Sequence, residues 1–130
     1  MKMKKQKLVI LSLLSLGILG GMANTALARD VIEIKNFRVT SNGSYTPAAK
    51  KYTSSNTVIN LQQTGGGKRV DVDNYSTGGK WVGSTTCWTN TRKSFSDNSA
   101  PGGRYNLKLS NKKWGQDNFS VTGSWSPDSY

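Results

Sequence analysis

From residue 29 onward apolar residues recur at alternate positions in short runs, the period of a strand with one face buried. The first run, Val31 to Thr40, places Ile32 and Ile34 on one face and Phe37 and Val39 on the other. The phase slips near Lys35–Asn36, as it does when a β-bulge or a bend between sheets inserts one residue. Further runs are Thr57 to Gln63 (Ile59, Leu61), Lys68 to Asp73 (Val70, Val72) and Lys80 to Asn90 (Trp81, Val82, Cys87, Trp88). Arg104 to Ser110 alternates Tyr105, Leu107 and Leu109 with polar residues, and Asn118 to Ser126 places Phe119, Val121, Gly123 and Trp125 on one side. Clusters such as Ser41–Asn42–Gly43–Ser44, Ser76–Thr77–Gly78–Gly79 and Pro101–Gly102–Gly103 separate the runs with residues that bend the chain or accept positive φ. Nothing in residues 29–130 shows apolar positions at i, i+3, i+4 and i+7. Pro47 to Tyr52 is the one segment open to a helical turn. The pattern predicts an all-β domain of about six strands, a small antiparallel β-sandwich or barrel-like fold.

The first 28 residues follow another plan. Lys2, Lys4, Lys5 and Lys7 precede twelve weakly polar to apolar residues, Leu8 to Leu19. As a helix that run rises about 18 Å at ~1.5 Å per residue, short of the roughly 30 Å of a bilayer core. Ala26–Leu27–Ala28 then offers a small-residue cleavage site, so residues 1–28 read as a secretory signal peptide cut between Ala28 and Arg29. The expected product is a single domain, residues 29–130, released outside the cell. Cys87 is far from the cleavage point, which argues against a lipid anchor, and the ending Ser126–Pro127–Asp128–Ser129–Tyr130 carries no apolar tail or wall-sorting motif. The lysine-rich leader leans towards a Gram-positive bacterium.

Catalysis is disfavoured by composition. The chain has no histidine, which removes the commonest general base and metal ligand together with every Ser–His or Cys–His arrangement. Asp71 and Asp73 lie two apart on one predicted strand and so share a face at roughly 7 Å. A carboxylate pair of the glycosidase kind or a calcium site can be drawn there, but further oxygen ligands at fixed offsets are missing, and solvated strand charges are the preferred reading. Gly65–Gly66–Gly67–Lys68–Arg69 lacks the following serine or threonine and the helix of a phosphate-binding loop, and reads as a hairpin turn. No catalytic residue, cofactor or metal site is predicted, and the protein is read as not an enzyme. Cys87 is the single cysteine, so no internal disulfide forms; burial as a small hydrophobe is the preferred reading and a monomer the preferred state, with a Cys87-linked dimer left open.

What remains is charge and aromatic surface. Four of the eighteen basic residues fall in the leader, so residues 29–130 carry fourteen basic against seven acidic side chains, a formal +7. Outside a cell such a surface attracts polyanions: anionic cell-wall polymers, membrane head groups or extracellular nucleic acid. The candidate surface-binding residues are Arg92 and Lys93, beside the Trp88 turn, and Lys112, Lys113 and Trp114 in a Lys/Asn/Gly turn. Trp81, Trp88 and Trp125, lying in strand runs, are expected in the core, and Trp114 at the surface.

The segment Ser44–Tyr45–Thr46–Pro47, the lysine-rich stretch at Tyr52 and the closing Val121–Thr122–Gly123–Ser124–Trp125–Ser126 resemble a family of small secreted proteins of bacilli whose function is unknown. That resemblance implies secretion and a β fold, and it transfers no functional residues. A looser similarity is to exported non-lantibiotic bacteriocins of Gram-positive bacteria, from which this chain departs in lacking a His-containing segment. Two functions follow as expectations: a non-enzymatic secreted module that binds anionic or carbohydrate surfaces of the envelope, and a bacteriocin-like antimicrobial protein.

Overall fold

The structure, a computed structural model, describes residues 29–111 and 117–130. These form β1 (Ile32–Val39), β2 (Ser44–Tyr45), β3 (Ala49–Lys50), β4 (Thr57–Gln62), β5 (Arg69–Ser76), β6 (Trp81–Trp88), β7 (Thr91–Phe95), β8 (Arg104–Ser110) and β9 (Phe119–Ser126). The fold is all-β, with two antiparallel sheets. The first has strand order β1-β9-β4-β7; the second runs β2-β8-β5-β6, and β3 continues the β2 edge by pairing with β8.

Alternation decides what lies between the sheets. The phase slip in β1 is a bulge: Ile32 and Ile34 pair with Trp125 and Gly123, and after a register shift Phe37 and Val39 pair with Val121 and Phe119. Because those four partners alternate regularly along β9, the bulge returns all four β1 residues to the core side. Asn36 makes the bend with φ 49°, a left-handed conformation that asparagine tolerates better than most residues. Its N–H donates to Thr122 Oγ1 at 3.2 Å. Facing this sheet, Val70, Val72, Leu107 and Leu109 are fully buried. Trp125, between Ile32 and Ile59 in the register, is the largest completely buried side chain.

Five predicted strands match within a few residues, and Arg69–Ser76 runs further than Lys68 to Asp73. Four elements depart from the sequence pattern, the first being β2, which takes Ser44 from the predicted turn into the ladder opposite Leu109. Pro47 to Tyr52 contains the short strand β3 rather than a helical turn, since Ala49 and Lys50 are drawn into the ladder opposite Tyr105 and Arg104. β7 buries only Phe95, because an edge strand can be exposed on both faces. The Gly65–Gly67 turn is not a hairpin: β4 belongs to the first sheet and β5 to the second, so the turn carries the chain across the sandwich. Gly65 and Gly66, at φ 85° and 111°, provide conformations that a side chain would strain.

Two polar clusters tie the sandwich together. Asp97 accepts hydrogen bonds from Thr57 Oγ1 of the first sheet at 2.9 Å and from Asn74 Nδ2 of the second at 2.8 Å. Ser99 closes the cluster with its N–H and hydroxyl, both donated to the other Asp97 oxygen. Lys51 and Asp128 form a buried ion pair at 3.4 Å, with side-chain exposures of 2% and 0%. The three ammonium donors of Lys51 go to Asp128 and to the carbonyls of Ser55 and Pro127. The N–H groups of Tyr52 and Thr53 and the Thr53 hydroxyl also donate to the Asp128 carboxylate.

Candidate binding face

The outward residues of the second sheet form a lattice that its register spells out. Row by row across β6, β5, β8 and the edge, these are Trp88 and Arg69; then Thr86, Asp71 and Ser110; then Ser84, Asp73, Lys108 and Tyr45; then Trp81, Tyr75 and Asn106. Trp81 and Trp88 are seven positions apart, an odd spacing that in a regular strand sends side chains to opposite faces. A bulge opposite Asn74–Tyr75 puts one extra residue, Val82, into β6, so that Trp81 pairs with Tyr75 and Gly83 with Asn74. The insertion brings both indoles to the same face. They are among the most exposed large hydrophobic side chains described, 52% for Trp81 and 48% for Trp88.

Between these aromatics the sheet is polar. A groove of about 310 Å³ runs over Asp71, Asp73, Ser84, Thr86, Lys108 and Ser110, with Ser41 and Asn42 of the β1–β2 turn as one wall. Trp81 Nε1–H donates to Asp73 Oδ1 at 3.2 Å, and Thr86 Oγ1–H to Asp71 Oδ1 at 3.4 Å. The two cations nearest the groove lie against rings: the Arg69 guanidinium is 4.6 Å from the Trp88 ring centre and the Lys108 ammonium 5.9 Å from that of Tyr45. Tyr45 in turn meets Tyr75 edge to face at 5.7 Å. Such contacts fix ring orientation and contribute about 0.5–1 kcal/mol each at exposed sites. The result is a held aromatic rim around a floor of mixed donors and acceptors, a surface suited to a flat ligand that is apolar on its faces and polar at its edges.

A second cleft, about 390 Å³, lies on the outer side of the first sheet and is lined by residues including Asn36, Gln62, Gln63, Asn90, Ser120 and Thr122. It has no aromatic or ionised lining and offers no stacking surface.

The residues predicted from charge are placed elsewhere. Arg92 and Lys93 are neighbours on β7 and therefore point to opposite sides. Arg92 pairs with Asn60, on the outer side of the first sheet, whereas Lys93 pairs with buried Ile59 and shares the core-facing side. No basic patch forms from the two, and neither lines the aromatic face. Lys112, Lys113, Trp114 and Ala28, the residue expected before the cleavage point, lie outside the described residues. Arg29, next to that site, donates from Nη1 to the Asp128 carbonyl at 2.8 Å.

The tryptophan expectation is corrected in two of three cases: Trp125 is core, but Trp81 and Trp88 are exposed. Strand alternation carried the signal, since Cys87 and Trp88 are adjacent and only one of them can face the core. Cys87 takes the buried place at 4% exposure. Burial pushes its thiol up to about 11, with Lys93 opposing and Asp71 adding to the effect, so at neutral pH it is the unreactive thiol rather than the thiolate. Asp71 is also less exposed than a solvated strand charge, at 7%, because neighbouring strands and the groove wall enclose it.

No protein-family model, curated protein or solved structure matches this chain.

Proposed function

We propose that residues 29–130 are a secreted, non-enzymatic binding module for polymers of the bacterial envelope, and that the outer face of the second sheet is its binding surface. The observation that supports this most is the pairing of exposed Trp81 and Trp88 on one face, with a polar groove between them. A binding face needs stacking area and orienting polar groups, and this sheet supplies both. With no histidine in the chain, base chemistry at neutral pH would fall to carboxylates. The two on this face, Asp71 and Asp73, already accept hydrogen bonds from Thr86 and Trp81. The +7 charge of residues 29–130 serves approach to an anionic envelope, a long-range and salt-screened attraction.

The test is co-sedimentation of the protein, recovered from the medium of a Gram-positive host, with related Gram-positive cells at low and physiological salt, with viable counts in parallel. The expected result is binding that weakens as salt rises but persists at physiological strength, with no loss of viability. Killing would replace this reading with the bacteriocin-like one. Failure to sediment with cells at either salt would remove the binding function altogether.

A further inference from the structure

We infer that the polymer held on this face is an uncharged, hydroxyl-rich glycan, lying lengthwise along β6 with sugar rings against Trp88 and Trp81 and hydroxyls in the groove between them. The inference rests on the proposed binding function and names the ligand class of that same site.

Spacing is the first argument. Seven residues of strand cover about 23 Å at ~3.3 Å per residue, somewhat less across the bulge. That length suits an extended chain of several rings rather than a single small molecule, with an indole near each end. The apolar C–H faces of a sugar ring match the flat indoles, and its equatorial hydroxyls project sideways, towards Asp73, Ser84 and Thr86 in the groove.

Charge is the second. Around the groove Arg69 and Lys108 are offset by Asp71 and Asp73, so the groove between the indoles is close to neutral; Lys50 and Arg104 lie further along the same outer face, beyond Asn106. Arg69 and Lys108 are both engaged with rings, and the groove itself is lined by the two carboxylates and one cation, Lys108. A phosphate or sulfate chain, which only accepts hydrogen bonds, would meet carboxylates that only accept them and repel its charge. A hydroxyl both donates and accepts, so it can donate to Asp73 while accepting from Thr86 or Lys108. Charge complementarity therefore favours a neutral glycan over teichoic acid, nucleic acid or anionic lipid at this site. The basic residues placed elsewhere, among them Lys35, Arg38 and Arg92, bring the protein to the envelope without contacting the chain that the groove holds.

The test uses the exported protein and its Trp88→Ala, Trp81→Ala and Asp73→Asn variants in pull-downs on insoluble cellulose, chitin and curdlan, and on immobilised wall teichoic acid, at low salt and at about 0.5 M NaCl (about a 4–5 Å screening length). Retention is expected on at least one neutral glycan. Each tryptophan variant should lose tenfold or more of that affinity while staying folded, with a melting temperature lower by only about 2–8 °C, since both side chains are half exposed. Asp73→Asn should raise the affinity for teichoic acid severalfold at low salt. Binding only to teichoic acid, abolished by salt and unaffected by the tryptophan substitutions, would overturn the glycan assignment while leaving an envelope-binding module standing. Retention on none of the glycans by a protein that still sediments with cells would overturn it equally, and failure on both cells and glycans would remove the binding function as well.

Discussion

Replacing Lys51 with methionine is expected to destabilise the fold by about 3–5 kcal/mol, the usual consequence of removing one partner from a buried ion pair. Methionine fills much of the volume but leaves the Asp128 carboxylate without its counter-ion at 0% exposure and the carbonyls of Ser55 and Pro127 without a donor. The Lys51→Met/Asp128→Asn double variant, which buries no charge, should recover part of the loss, and urea unfolding of the three proteins measures it. The same pair sets an acid limit. Burial alone would raise the Asp128 carboxyl, but hydrogen bonds from Tyr52 and Thr53 and the charge of Lys51 outweigh it and hold the group below the ordinary carboxylate range. A carboxylate with a depressed folded value contributes stability that is fully present above its unfolded value, about 3.9, and is lost as pH falls through the folded one. The melting temperature should therefore drop below about pH 4, and drop less steeply in Asp128→Asn, which starts lower at neutral pH.

The second large effect is expected at Gly123. It lies in the middle of β9, paired with Ile34 on one side and Leu61 on the other. A Cβ built there would stand 1.9 Å from the Asn60 carbonyl oxygen and 3.0 Å from Leu61 Cα. Both obstacles are backbone of an adjacent strand, so relief requires the central strands of the first sheet to separate. Gly123→Ala should cost about 3 kcal/mol or more, the upper part of the overpacking range. That corresponds to a melting temperature lower by roughly 12–24 °C in a domain of this size, readable by calorimetry. Gly65→Ala, in the open crossover turn where no atom lies within 4 Å of the added carbon, involves only backbone strain and should cost less.

The parts of this fold that were legible in the sequence are those in which alternation has one solution. Tyr105, Leu107 and Leu109 locate β8 residue for residue; the slip at Lys35–Asn36 marks where β1 changes phase, but a bulge and a bend between sheets both fit it, and only the register shift against β9 shows that all four apolar residues return to the core side. β7 was not legible: Thr91–Phe95 buries one residue, so its composition resembles a loop. Lys51 was equally hidden. Beside Lys50 and Tyr52 it reads as part of a solvated basic stretch, and only the distant C-terminal segment, through Pro127 and Asp128, turns it into a buried donor. The candidate binding face was missed for a related reason. Basic residues and turns draw attention as binding features, and tryptophans in strands draw the assumption of a core. Pairing each tryptophan with its neighbour, Trp81 with Val82 and Trp88 with Cys87, turns both outward, and the β6 bulge that makes the two assignments compatible had one local cue, Gly83 inside the strand run.

The most direct test of the binding face is to follow the indole N–H signals by two-dimensional ¹H–¹⁵N NMR while soluble fragments of Gram-positive cell-wall polysaccharide are added. The expected result is progressive shifts at the Trp81 and Trp88 indoles and at the backbone of Tyr45, Asp73 and Thr86, with Trp125 and the β7 amides of Arg92 and Lys93 unmoved. Shifts concentrated on β7 with silent Trp81 and Trp88 indoles would contradict the assignment of this face and return binding to the edge strand that carries Arg92 and Lys93.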